Sequence, residues 1–172
     1  AEAHAEDNAQ IAQAGINALG GFIRSAGNFG LFIYGTLERL LIPTGLHHLV
    51  YTPFLYTSLG GTATVGGQVL EGARNIYYAE IADPSVAVLS QSVIWDARGI
   101  SKMFGLIGAC LAMYQTARPE NREKIKPVLI TAAVTSFIAG VTEPIEFSFL
   151  FVAPILFVVH AVLAGSSFVV LN

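Results

Sequence analysis

Charge is scarce in this sequence: Asp, Glu, Lys and Arg make up 12% of its 172 residues, against roughly 25% in an average soluble domain. A soluble globule of 18.3 kDa would expose on the order of 8,000 Å², and twelve acidic with nine basic side chains cover that poorly. The balance is a net −3, which excludes the basic surface of a nucleic-acid binder. Cysteine occurs once, so no disulfide scaffold closes within the chain and no cysteine-based zinc site forms. No stretch resembles a phosphate-binding P-loop, a zincin helix or a nucleophile elbow, so no ATP site is expected. What remains is 53% hydrophobic, with mean hydropathy +0.60. That is neither a soluble enzyme nor a disordered chain; it reads as an all-α membrane protein.

Phe147 to Leu171 is an unbroken apolar run of 25 residues without Asp, Glu, Lys or Arg. A transmembrane helix needs about 20. It is not a signal peptide, because it lies at the far end and has no cleavage context. Both ends look cut, at Ala1 and at Asn172 straight after an apolar run, so a fragment is expected.

Residues 1–28 begin with Glu2, Glu6 and Asp7, which are expected to fray. From Ile11 the apolar positions recur with helical spacing and suit a helix in the membrane interface. A second helix is expected over about Phe29 to Ile42. Leu40 to Leu70 is free of charge yet broken by Pro43, Gly45, Pro53, Gly60-Gly61 and Gly66-Gly67. Charge-free but interrupted is the pattern of a re-entrant hairpin, tolerated only where protein or a cavity satisfies the backbone. Residues 71–102 read as a polar loop with short structure, and Met103 to Ala117 as an apolar helix. Arg118 to Lys126 carries four positive and two negative side chains and reads as a solvated inter-helix loop, cytoplasmic by its Lys/Arg excess. Residues 126–150 form a second interrupted apolar segment, and such pairs point to a transporter binding site.

From Pro127 onward the only charged residues are Glu143 and Glu146. A carboxylate in mid-membrane costs roughly 2.5–3.5 kcal/mol, so these must be protonated, find partners or face a wet cavity. Pro144 suits a first helical position, which makes Glu143 the non-helical residue before it. Glu146 then falls third in the helix, where it bonds back to the cap backbone. On that reading Glu146 has a structural role and Glu143 faces a ligand. His47 and His48, as neighbours on a helix, diverge by about 100° and cannot share one metal; no metal is expected. His160 reads as a helix–helix contact, Cys110 as an inert buried thiol, and Arg39 as a snorkelling or Glu-paired arginine.

Three segments, in order, carry a family resemblance. Gly140-Val141-Thr142-Glu143-Pro144-Ile145-Glu146-Phe147 resembles the hairpin signature of phosphotransferase-system EIIC sugar transporters of the glucose superfamily. Pro43-Thr44-Gly45-Leu46-His47-His48 resembles their other signature, and Ala117-Arg118-Pro119-Glu120-Asn121-Arg122 the loop before the second hairpin. The resemblance runs from about Ile11 to the C-terminus and leans to the maltose/α-glucoside branch. Val141 stands where isoleucine is common.

The resemblance implies transmembrane helices with two re-entrant helical hairpins, in a multi-pass permease of the bacterial inner membrane. Such a protein imports a sugar, glucose-type or α-glucoside, and presents its hydroxyl for phosphorylation. It implies Glu143 as the residue that hydrogen-bonds that hydroxyl, with Arg39, His47 and Thr142 as further sugar contacts. The implied partners are the sugar, the lipid membrane, EIIB and a second copy bound through a scaffold half; no nucleic acid is expected. The scaffold half and EIIB lie outside this chain, and Cys110 does not match the EIIB cysteine. No cofactor is expected, the phosphoryl group coming from the EIIB phosphocysteine, and the fragment alone is expected to be inactive. Two other classes compete: a secondary sugar/proton carrier with Glu143 as coupling site, and a non-catalytic membrane subunit.

Overall fold

The computed structural model describes residues 2–172; Ala1, and the side chains of residues 2–9 and 11–13 with the acidic start among them, lie outside the described residues. The chain is predominantly helical, and it divides into two units, residues 1–97 with 161–172 and residues 98–160.

The first unit opens with helices α1 (Glu2–Ser25) and α2 (Gly27–Leu40). Gly27, at φ +57°, breaks the chain between them, a conformation that costs glycine little. A 3-10 turn, Ile42–Thr44, carries Pro43 and ends on the left-handed Gly45 before α3 (His47–Tyr56). Thr57 caps a further short turn through its side chain, which accepts from the Leu59 amide. The chain then forms a two-stranded antiparallel hairpin, β1 (Thr62–Val65) and β2 (Gln68–Glu71), with Val65 opposite Gln68. Gly66 and Gly67, both at positive φ, make the two-residue connection such hairpins favour. The interrupted segment after Leu40 is therefore a helix followed by strands. Helix α4 (Ala73–Ala82) and a 3-10 turn at Gln91–Asp96 occupy the stretch expected as a polar loop.

Tyr34 is the hub of this unit's core. It is fully buried, meets Phe54, Trp95 and Phe168 edge-on with centroids 5.0 to 5.3 Å apart, and donates its hydroxyl to the Trp95 carbonyl at 2.8 Å. Edge-to-face packing suits the ring quadrupoles, and the hydrogen bond satisfies the one polar atom the hub buries.

The second unit holds a π-helical turn (Ser101–Gly105), α5 (Leu106–Thr116), α6 (Pro119–Ala139), α7 (Glu143–Val152) and the start of α8 (Pro154–Leu171). The charged Arg118–Lys126 segment is not a loop. Pro119 stands at the start of α6, where its missing N–H costs nothing, and Glu120 and Lys124 have the favourable i, i+4 order. Arg122 donates to the carbonyls of Gln115 and Ala117 and so closes the C-terminal end of α5.

The apolar run from Phe147 to Leu171 is likewise not one helix. Ala153 leaves helical geometry (φ −147°, ψ 74°) ahead of Pro154, as the residue before a proline tends to do. The contacts then pair Phe149 with Phe157 and Glu146 with His160, so α7 and the start of α8 run antiparallel. Leu106, Cys110, Ala132, Ile145, Phe149 and Phe157 form the core of this unit. Among the described residues, α8 is the one helix long and apolar enough by composition to cross a membrane.

Candidate functional site

The loop from α6 to α7 is held from both sides. Gly140 ends α6 in left-handed geometry, φ +68°, and its carbonyl accepts from the Lys102 ammonium at 3.2 Å. Thr142, 3% exposed, caps α7, and its carbonyl takes the amides of Ile145 and Glu146. Helix α7 begins at Glu143, with Pro144 in its second position, one residue earlier than the sequence suggests. Proline needs only a φ near −65° and no donor, and either of the first two positions satisfies that.

The shift changes what each carboxylate does. Glu143 is half-buried, and its Oε2 accepts the Thr142 amide at 2.9 Å. It therefore supplies the local bond expected of Glu146, and its charge sits at the positive end of the α7 dipole. A carboxylate has about four acceptor positions, so Oε1 keeps capacity for a ligand hydroxyl. Glu146 is fully buried, and its Oε1 lies 3.1 Å from His160 Nε2. His160 is thus a contact between α7 and α8.

Arg39 and His47 belong to the first unit, and Thr142 and Glu143 to the second. Arg39 ends α2 at 2% exposure, beside the equally buried Glu38, and its charge complements the C-terminal end of that helix. His47 begins α3 half-buried, with its ring centroid 4.1 Å from that of His48. The exposed His48 hydrogen-bonds the Tyr51 hydroxyl through Nδ1. Thr44 orders the approach to this pair: its hydroxyl donates to the Leu41 carbonyl and accepts the Leu46 amide. Among the described residues, no group of three or more His, Cys, Asp and Glu side chains is placed to hold a metal ion.

Lys102 was not apparent from the motifs. Its signal in the sequence is isolation: it is the single charged residue between Arg98 and Arg118.

Residues 9–165 match the family model described as Phosphotransferase system, EIIC. The chain belongs to this family. It is similar to the PTS system maltose-specific EIICB component of Escherichia coli (strain K12), 47% identical over 161 residues, which are 92% of this chain and 30% of that protein. It is also similar to the PTS system alpha-glucoside-specific EIICB component of Klebsiella pneumoniae, 45% identical over 90% of this chain and 28% of the relative. The PTS system glucose-specific EIICBA component of Staphylococcus carnosus (strain TM300) is 42% identical over 92% of this chain and 23% of the relative. The chain thus spans less than a third of each of these relatives. Membership of the EIIC family agrees with the scarcity of charge and places the chain in a membrane. All three signature segments fall inside the matched span.

Proposed function

We propose that this chain is the sugar-handling part of a phosphotransferase-system permease, which moves a sugar across the bacterial inner membrane and presents its hydroxyl to phosphorylated EIIB. The observation that carries the reading is Glu143: a half-buried carboxylate fixed at the start of α7 by the Thr142 amide, in a helix whose other charged residue, Glu146, is fully buried. The names of the relatives, specific for maltose, alpha-glucoside and glucose, support a glucose-type or α-glucoside substrate. They also support EIIB as partner, because each includes a B component in its name.

Phosphoryl transfer has a loose transition state, so catalysis is mostly positioning and electrostatics. The sugar oxygen forms a bond to phosphorus as the S–P bond of the EIIB phosphocysteine breaks and the thiolate leaves. The hydroxyl proton passes late to Glu143, which in the meantime orients that hydroxyl. Arg39, His47 and Thr142 serve as sugar contacts. Residues 126–150 form the second re-entrant segment, residues 40–70 form the first, and the remaining passes and the dimer contact come from a scaffold half.

The experiment uses the full-length parent, with phosphosugar formation from purified phospho-EIIB normalised to binding-competent protein. Glu143→Gln should slow it about 10²–10⁴-fold, the usual size of a general-base contribution, while sugar affinity falls far less. Normal turnover by Glu143→Gln would remove this carboxylate from the mechanism. Uptake driven by a pH gradient without product phosphorylation would point instead to a proton-coupled carrier.

A further inference from the structure

Ahead of α5 the backbone widens into a π-turn at Ser101–Gly105, a rare conformation that often marks functional sites. Lys102 lies in this turn and touches the end of α6 twice. Its main-chain carbonyl accepts the hydroxyl of the fully buried Ser136 at 2.8 Å. Its ammonium donates to the Gly140 carbonyl at 3.2 Å. A side chain on Gly140 would begin 3.9 Å from Lys102 Cδ, an ordinary van der Waals distance, so the lysine stem lies on the side of the left-handed residue where a side chain would stand. The last carbonyls of a helix lack intrahelical partners and carry the negative end of its dipole, so a cation is favoured there. Two residues beyond Gly140 is Thr142, whose amide holds the Glu143 carboxylate.

We propose that Lys102 is a positioning residue for Glu143: its ammonium clamps the left-handed end of α6 and so sets where the loop presents the carboxylate. This rests on the function proposed above. Lys102 touches neither sugar nor phosphoryl group in this role; it acts through Gly140 and Thr142. A displacement of about 1 Å at a reacting group can cost 10²-fold in rate, whereas binding, spread over several contacts, is less sensitive.

The test compares Lys102→Met and Lys102→Arg in the full-length parent. Three readouts are taken: sugar affinity by calorimetry, phosphosugar turnover per binding-competent molecule, and hydrogen exchange across residues 140–146. Lys102→Met should lower turnover about 10- to 100-fold, leave sugar affinity within a few-fold of wild type and speed exchange at residues 140–143. Lys102→Arg, which keeps the charge and its donors, should recover most of the turnover. Unchanged turnover per binding-competent molecule in Lys102→Met, or an arginine variant as slow as the methionine one, overturns the proposal. Should the wild-type parent form no phosphosugar, the function proposed above fails. Exchange then decides the clamp alone: faster exchange at residues 140–143 in Lys102→Met sustains it, and unchanged exchange overturns it.

Discussion

Glu146 Oε1 and His160 Nε2 lie 3.1 Å apart on opposite arms of the α7–α8 turn, with the Ala153–Pro154 break between them in sequence. Phe149 packs edge-on against the same imidazole, so the pair lies within an apolar wall. The bond ties two helices that the proline has separated. Removing one partner from such a pair leaves the other desolvated, at a cost of about 1–3 kcal/mol.

His160→Ala should therefore lower stability by roughly 1–3 kcal/mol, read as a shift in unfolding of the detergent-solubilised full-length protein. His160→Gln, which still reaches with an amide, should recover part of the loss. Glu146→Gln should be milder than Glu146→Ala, with phosphorylation per folded molecule retained. An unaltered unfolding transition in His160→Ala would show that the bond contributes nothing.

A second expectation concerns the close approach of α2 and α8 within the first unit. A side chain on Gly165 would begin 2.2 Å from Thr36 Oγ1 and 2.5 Å from the Phe32 carbonyl oxygen, and one on Gly35 2.9 Å from Gly165 Cα. Small residues bring backbones together in this way in membranes. Gly165→Ala should cost about 1–3 kcal/mol through overpacking, and Gly165→Leu should prevent the approach. Gly108, in α5, meets nothing within 4 Å, so Gly108→Ala should stabilise by up to about 1 kcal/mol through helix propensity. Thermal unfolding of the three variants side by side checks the contrast, and equal losses at Gly108 and Gly165 would contradict it.

Much of the helical layout was legible because apolar runs and Gly/Pro punctuation report on it directly. Helix α2 ends at Leu40, two residues before the expected Ile42, and Pro43 and Gly45 shape the 3-10 turn that follows. The misplaced boundaries share a cause: at each of them composition and backbone chemistry point to different structures. The run from Phe147 to Leu171 is apolar throughout, yet Pro154 lacks an N–H and pushes Ala153 out of helical geometry, which ends α7. Charge made Arg118–Lys126 resemble a loop, although its residues are good helix formers behind a proline that suits a first turn. The hairpin was written in Gly66-Gly67 between two short alternating segments, a signal overshadowed by the lack of charge around it. At the candidate site, residue types were legible and the local bonding was not. Glu143 and Glu146 are three residues apart, and either spacing rule alone allows one of them to cap. Only the helix start decides that the cap bond belongs to Glu143.

Asp83 gives a pH-dependent expectation outside the membrane-spanning segments. The Ser85 hydroxyl and amide both donate to its Oδ1, at 2.7 and 2.9 Å, and they hold its carboxyl below the ordinary carboxylate range. A folded-state value below the unfolded one means the stabilisation is complete above the unfolded value, about pH 4, and is lost as pH falls through the folded value. Ser85→Ala should move the Asp83 titration upward, as followed by side-chain NMR. A titration that does not move would show that the hydroxyl is not the source of the shift.

The orientation of the α5–α6 turn is testable with one substitution. Lys/Arg excess in short segments favours the cytoplasm, and Asn121 is exposed in the first turn of α6. In the full-length parent, a cysteine at Asn121 should resist a membrane-impermeant thiol reagent in intact cells and react in inverted vesicles. Labelling in intact cells would reverse the orientation and take the EIIB donor away from that face.

Helix α7 has ten residues, about 15 Å at 1.5 Å per residue, which is half of a hydrocarbon core about 30 Å thick. Eighteen-residue α8, at about 27 Å, is long enough to cross. Helix α7 folds back along the start of α8, so Glu143, its first residue, stands about 15 Å from the Ala153–Pro154 turn. The short first arm thus carries its carboxylate back over roughly half the length of α8.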